Sequence, residues 1–142
     1  KERLLNLIDA DTGAFNDVLD AYRMPQGSED QVSLRNEAID KAMKEATDIP
    51  FKTLKYCHEV MTYAQEAAEY GQSNSVSDAG VAAEMANAGA HGAALNVKIN
   101  LNEINDVKYC QKMQKQTDKL VKEAEKVLAI VRNIILGKLK SE

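Results

Sequence analysis

Ala79-Gly80-Val81-Ala82-Ala83-Glu84-Met85-Ala86-Asn87-Ala88-Gly89-Ala90-His91-Gly92-Ala93-Ala94 is the stretch on which the fold of this chain turns. Eleven of its sixteen residues are Ala or Gly and none is Pro. Alanine is the strongest helix former. The stretch therefore predicts a helix that starts near Ser75, which has capping-box spacing to Asp78, with Ser77 as the alternative cap, and runs to about Leu101. A helix with so little side-chain bulk buries little apolar area of its own. It makes sense where a neighbouring backbone, or a flat ligand, comes close. Each interior glycine costs about 0.5–1 kcal/mol relative to Ala, so Gly80, Gly89 and Gly92 point to a packing reason.

Four further helices extend from this one. The first runs from the N-terminus to about Arg23 on a stripe of Leu4, Ile8, Phe15, Val18 and Tyr22. It stops at Met24-Pro25, because a residue before proline avoids the helical region. Ser28, at capping-box spacing to Gln31, opens a second helix with the stripe Val32, Ile39, Met43 and Ala46. Pro50 ends that helix and suits the first turn of a third, which carries Phe51, Leu54, His58, Met61, Gln65 and Ala68. Gly71 is placed to close it as a left-handed cap. The last helix runs from about Asn105 to Leu139, with Tyr109, Met113, Leu120, Val127, Ile134 and Ile135 facing inward. The expectation is an all-α bundle of about five long helices.

Composition agrees. With 142 residues the chain fits one domain, large enough for a core without disulfides or metals. Aromatic residues are only 5% and there are two prolines, which favours helices over sheets. A net charge of −4 with no basic block argues against nucleic acid as a partner. Glu84, Asn87 and His91 interrupt the longest apolar stretch, so no membrane span is expected. Cys57 and Cys110 belong to no CxxC motif and read as idle thiols in a reducing, cytoplasmic setting. His58 and His91 share no ligand spacing with other candidate residues, so no metal site is expected, and Lys112, Lys115, Lys119 and Lys122 read as a solvated face.

Three features carry candidate chemistry. Asp11 fills the gap in the first stripe, three residues after Ile8 and four before Phe15. A carboxylate in an apolar seam needs a partner or a raised pKa. It is either a structural Asp bonded to a neighbour or a general acid or base. Ser77 and Asp78 read as a cap with a charge placed well for the helix dipole, or as groups facing a ligand from the helix end. Asn96 and Asn100 lie on one face and continue the line of Met85, Gly89 and Gly92. Their amides either bond a neighbouring helix or read the edge of a flat heterocycle. On a straight helix Asp78 and Asn96 are too far apart for one small site.

Together these residues resemble a known family. Leu7-Ile8-Asp9-Ala10-Asp11 with Ala14-Phe15, followed by Ala21-Tyr22-Arg23-Met24-Pro25, is similar to its first signature. Ser77-Asp78, then Gly92-Ala93 and Asn96-Val97-Lys98-Ile99-Asn100-Leu101, is similar to its second. The family is that of formimidoyltetrahydrofolate cyclodeaminase and the related methenyltetrahydrofolate cyclohydrolases. The resemblance implies an enzyme of one-carbon metabolism or histidine breakdown that pairs into homodimers or higher oligomers. It implies closure or opening of the 5,10-methenyl bridge of tetrahydrofolate, with no cofactor beyond that substrate, and places the family's catalytic aspartate at Asp11. A non-catalytic folate-binding or assembly module is the alternative. A polyglutamylated substrate would look for cations, for which Arg23, Lys52 and Lys98 are the candidates. Members of the family usually open with another helix preceded by a Pro-Gly-Gly-Gly-Ser loop. No such segment occurs here, so residues 1–142 are expected to be one domain lacking its N-terminal helix.

Overall fold

The structure, a computed structural model, describes residues 2–139. Four long helices follow one another: α1 (Glu2–Tyr22), α2 (Glu29–Tyr70), α3 (Val76–Leu101) and α4 (Val107–Leu139). A short 3-10 turn, Ser73–Ser75, lies between α2 and α3. The bundle is all-α, with four helices where five were expected.

The difference lies at Pro50. The segments on either side of it form one continuous helix of 42 residues, with Pro50 buried inside. A proline in a helix interior removes one backbone donor and crowds the carbonyl four residues back, at a cost of about 3 kcal/mol. Packing offsets that cost: Met43, Thr47, Phe51 and Leu54 around it are all buried. Ser28 caps α2 as its spacing predicts, its hydroxyl oxygen accepting from the Gln31 N–H at 3.3 Å. The Gln31 side chain accepts from the Gly27 N–H rather than from Ser28. Gly71 differs from expectation. Its φ is −71°, so it ends α2 in an extended rather than left-handed conformation, while its N–H bonds the Ala67 carbonyl. Ser75 precedes α3 but gives no side-chain cap, because its hydroxyl turns back to donate to the Gln72 carbonyl.

The Ala-rich helix finds the close neighbour its composition calls for. Its positions Ala79, Ala83, Ala86, Ala90, Val97 and Leu101 are buried against the core that α2 supplies through Leu54, Met61, Ala64 and Ala68. A Cβ on Gly89 would lie 2.9 Å from the Cys57 sulfur, and one on Gly80 would strike Ile135. Gly92 is different: it faces open space, so no packing reason holds there.

Helix α4 packs against both α2 and α3. Asp106 starts it, accepting from the Tyr109 N–H at 3.0 Å and from Lys44 at 2.9 Å. The Tyr109 N–H, and then the Lys44 ammonium, hold the Asp106 carboxyl below the usual range. Glu84–Arg132 and Lys98–Asp118 are ion pairs between the two helices, with His91 facing Glu125 at 3.4 Å between them, and the three contacts repeat every seven residues along the antiparallel α3 and α4.

Helix α1 packs on α2 alone among the extensive contacts, with Val18 and Ala21 buried. Its expected stripe is only partly inward, since Ile8 is 62% and Phe15 60% exposed. A face of α3 is also uncovered, with Met85 at 70% and Ile99 at 63%. No described helix is long and apolar enough to cross a membrane.

Candidate functional site

Because α1 and α3 both lie along α2 without packing closely on each other, a groove opens between them. It holds two adjoining hollows of about 360 and 290 Å³ that share Asp11, Pro50 and Asn96. These volumes are in the range of small-molecule sites. Helix α2 forms the floor at Ala46, Ile49 and Pro50. Leu7, Ile8, Phe15 and Val18 of α1 give one apolar wall, and Ala93 of α3 stands opposite. Asp11, Thr12, Thr53, Asn96 and Asn100 set polar groups among these apolar walls, which suits a flat ring system with a polar edge.

Asp11, Asn96 and Asn100, chosen from helical spacing, meet in this groove. Asp11 is exposed and makes no hydrogen bond or ion pair among the described residues. The seam it interrupts is not buried, so the structural partner it was expected to need is absent among the described residues, and its carboxylate is free toward the groove. Asn96 is likewise exposed and unpartnered there. Asn100 is half-buried and already engaged: its Nδ2 donates to the Ala46 carbonyl at 3.3 Å. The interhelical bond and the groove lining therefore coexist at this residue.

The other candidates lie elsewhere. Lys98 is two residues from Asn96, which turns it to the far side of α3, where it pairs with Asp118 at 2.9 Å. Asp118 has its carboxyl lowered by the Gln114 amide and by Lys98. Arg23 pairs with Asp20 at 3.1 Å beyond the end of α1. Lys52 is exposed and lines neither hollow. No Lys or Arg lines either hollow, so Arg23, Lys52 and Lys98, the cations expected for a glutamate tail, stand outside them. Ser77 and Asp78 are exposed in the first turn of α3. That is about 27 Å from Asn96 at ~1.5 Å rise per residue, so they do not share its site.

Spacing alone misses three contributors. Thr12 and Thr53 line the groove while donating their hydroxyl protons to the carbonyls of Ile8 and Ile49, each at 3.2 Å. Their oxygens are left as acceptors. Pro50 is the third. The available sign was Ala46, four residues before it, whose carbonyl must lose its helical donor. Cys57 and Cys110 are both free thiols outside the groove, pushed up in pKa by burial.

The chain is similar in sequence and fold to known proteins. The sequence pattern of a family described as formiminotransferase-cyclodeaminase matches residues 1–119. A methenyltetrahydrofolate cyclohydrolase from Methylorubrum extorquens is 36% identical over 124 residues, covering 87% of this chain and 60% of its own length. A formimidoyltransferase-cyclodeaminase from Dictyostelium discoideum is 36% identical over 126 residues, covering 89% of this chain and 22% of its own. The crystal structure of formiminotetrahydrofolate cyclodeaminase from Thermotoga maritima superposes with a TM-score of 0.80 at 26% identity, over 94% of this chain and 63% of that one. The chain thus spans less than two thirds of each of these relatives.

Proposed function

This chain belongs to the formiminotransferase-cyclodeaminase family, and on that premise we propose that it acts on the one-carbon bridge between N5 and N10 of a tetrahydrofolate, with Asp11 as general acid and base. The observation that carries the reading is the unpartnered Asp11 carboxylate at the junction of the two hollows, beside Asn96 and above the Pro50 floor.

As a cyclodeaminase, the bound N10 attacks the carbon of the formimidoyl group on N5, which enters protonated as an amidinium, so that addition leaves an NH2 on the new tetrahedral carbon. Asp11 takes the proton that N10 gives up as the new C–N bond forms. It then returns that proton to the amino group of the tetrahedral carbon. Ammonia leaves with the electron pair of the breaking C–N bond, and the 5,10-methenyl cation remains. The groove aligns the two reacting atoms within one molecule, a favourable start for cyclisation. Asn96 would orient the ring edge through its free donor and acceptor.

The same site supports the cyclohydrolase reaction, and the similarity to the Methylorubrum enzyme favours weighing it. Asp11 would then take a proton from water as it adds to the methenyl carbon and return it to N5 as the N5–C bond breaks, while the adduct hydroxyl loses its proton to solvent and becomes the carbonyl of the 10-formyl compound. Incubating the purified protein with 5-formimidoyltetrahydrofolate and, separately, with 5,10-methenyltetrahydrofolate distinguishes the two. Methenyl absorbance rising together with ammonia marks the cyclodeaminase. Loss of methenyl absorbance with formyl product marks the cyclohydrolase. Binding of both without turnover would replace either reading with a folate-binding module.

The uncovered apolar faces of α1 and α3 support a further part of the reading, that a second copy of the chain covers them in a homodimer or higher oligomer. A glutamate tail on the substrate would extend beyond the groove, whose lining offers it no cation. The setting proposed is cytoplasmic one-carbon metabolism.

A further inference from the structure

Pro50 stands at the floor of both hollows, in the interior of a long helix where proline is strongly disfavoured. Having no N–H, it leaves the Ala46 carbonyl without its helical donor. Asn100, on the neighbouring helix, supplies the replacement through Nδ2 at 3.3 Å. A carbonyl oxygen only accepts, so this bond decides which end of the amide faces α2. The Asn100 Oδ1 is turned the other way. It makes no hydrogen bond among the described residues and is not sealed from solvent.

The remaining polar lining has the same sense. Asp11 offers acceptors, and the hydroxyl protons of Thr12 and Thr53 are committed to their own helices. Asn96 keeps its amide donors free at the groove, and Asn100 retains the one Nδ2 hydrogen that it does not give to Ala46. We propose that Pro50 and the Ala46 carbonyl are a positioning device that holds Asn100 with its oxygen toward the groove, where it accepts from an N–H-bearing edge of the ligand. The claim deepens the folate reading and rests on it: a reduced pterin carries ring N–H groups and an exocyclic amine that fit an acceptor-rich lining.

The test is Pro50→Ala, which returns an N–H to the Ala46 carbonyl and releases Asn100. The side-chain NH2 of Asn100, followed by 15N NMR in the 15.6 kDa chain, should then exchange with solvent faster than in the wild type. KM for 5-formimidoyltetrahydrofolate, or for 5,10-methenyltetrahydrofolate if that is the substrate turned over, should rise roughly three- to tenfold, the size of one neutral hydrogen bond. The change in kcat should be smaller. Asn100→Ala removes both the donor to Ala46 and the acceptor facing the groove, and should raise KM at least as much. It also serves if Pro50→Ala fails to fold. An Asn100 amide equally protected in Pro50→Ala, or a KM unchanged after its release or in Asn100→Ala, would overturn the proposal and leave Asn100 a purely structural patch on the proline. A wild-type protein that turns over neither folate would instead sink the folate reading, with amide exchange still deciding the device.

Discussion

Asp11 sits on an exposed face of α1 and makes no bond that the fold needs. Asp11→Asn is therefore expected to change unfolding free energy by no more than about 0.5 kcal/mol, as for surface substitutions in general, measured by urea denaturation. A larger loss would mean that the carboxylate is structural. Asp106 is the opposite case. Its folded-state pKa is lowered by the Tyr109 N–H and Lys44, so the unfolded chain binds the proton more tightly. The stability it contributes is complete above the ordinary carboxylate value near ~4 and is lost as pH falls through the lowered folded value. Asp106→Asn keeps a capping oxygen but removes the charge, and should flatten that part of the acid limb of a stability profile. An unchanged limb would remove Asp106 from the acid response. At this scale helical spacing made Asp11, Asn96 and Asn100 legible, because residues on one face share a groove. Where the cations stand relative to the groove depends on tertiary partners instead. Lys98, two residues from Asn96, necessarily points away from it, and only the tertiary partner Asp118 shows where it goes.

The elements followed from periodicity except where tertiary packing overruled a local signal. Pro50 reads as a helix boundary because its ring and missing N–H disfavour an interior site. In the bundle, a buried neighbourhood and the Asn100 amide compensate, and α2 runs through. Gly71 fits a left-handed cap but takes an extended conformation instead, and no described residue has a positive φ. The Ala-rich helix is the clearest case, since its want of bulk implies a close neighbour and α2 supplies it. It carries its own prediction. Ala83 is fully buried, so Ala83→Leu should overpack the α2–α3 contact and cost about 1–3 kcal/mol. Ala67→Leu, on an exposed face of α2, should stay within about 0.5 kcal/mol. Equal small effects in urea titrations would show that the two helices are not held as closely as Gly89 and Cys57 indicate.

At the scale of the molecule, the three-helix core of α2, α3 and α4 accounts for the fold, while α1 lies alongside and shapes the groove. The exposed Val81, Met85, Leu95 and Ile99 form an apolar face on α3, and sequence periodicity could not tell this face from the one that meets α2. The account predicts self-association at micromolar concentration by light scattering, lost in Leu95→Glu with Ile99→Glu; a monomeric wild type would contradict it. The central claim is that Asp11 performs proton transfer on a folate held in the α1–α3 groove. Its most direct test is the single-enzyme turnover of wild type and Asp11→Asn on 5-formimidoyltetrahydrofolate and 5,10-methenyltetrahydrofolate, followed by methenyl absorbance. Turnover of one of them by the wild type, reduced roughly 10²–10⁴-fold in the variant with binding retained, is the result expected. Equal rates in the two proteins would remove Asp11 from the chemistry and the groove from the mechanism.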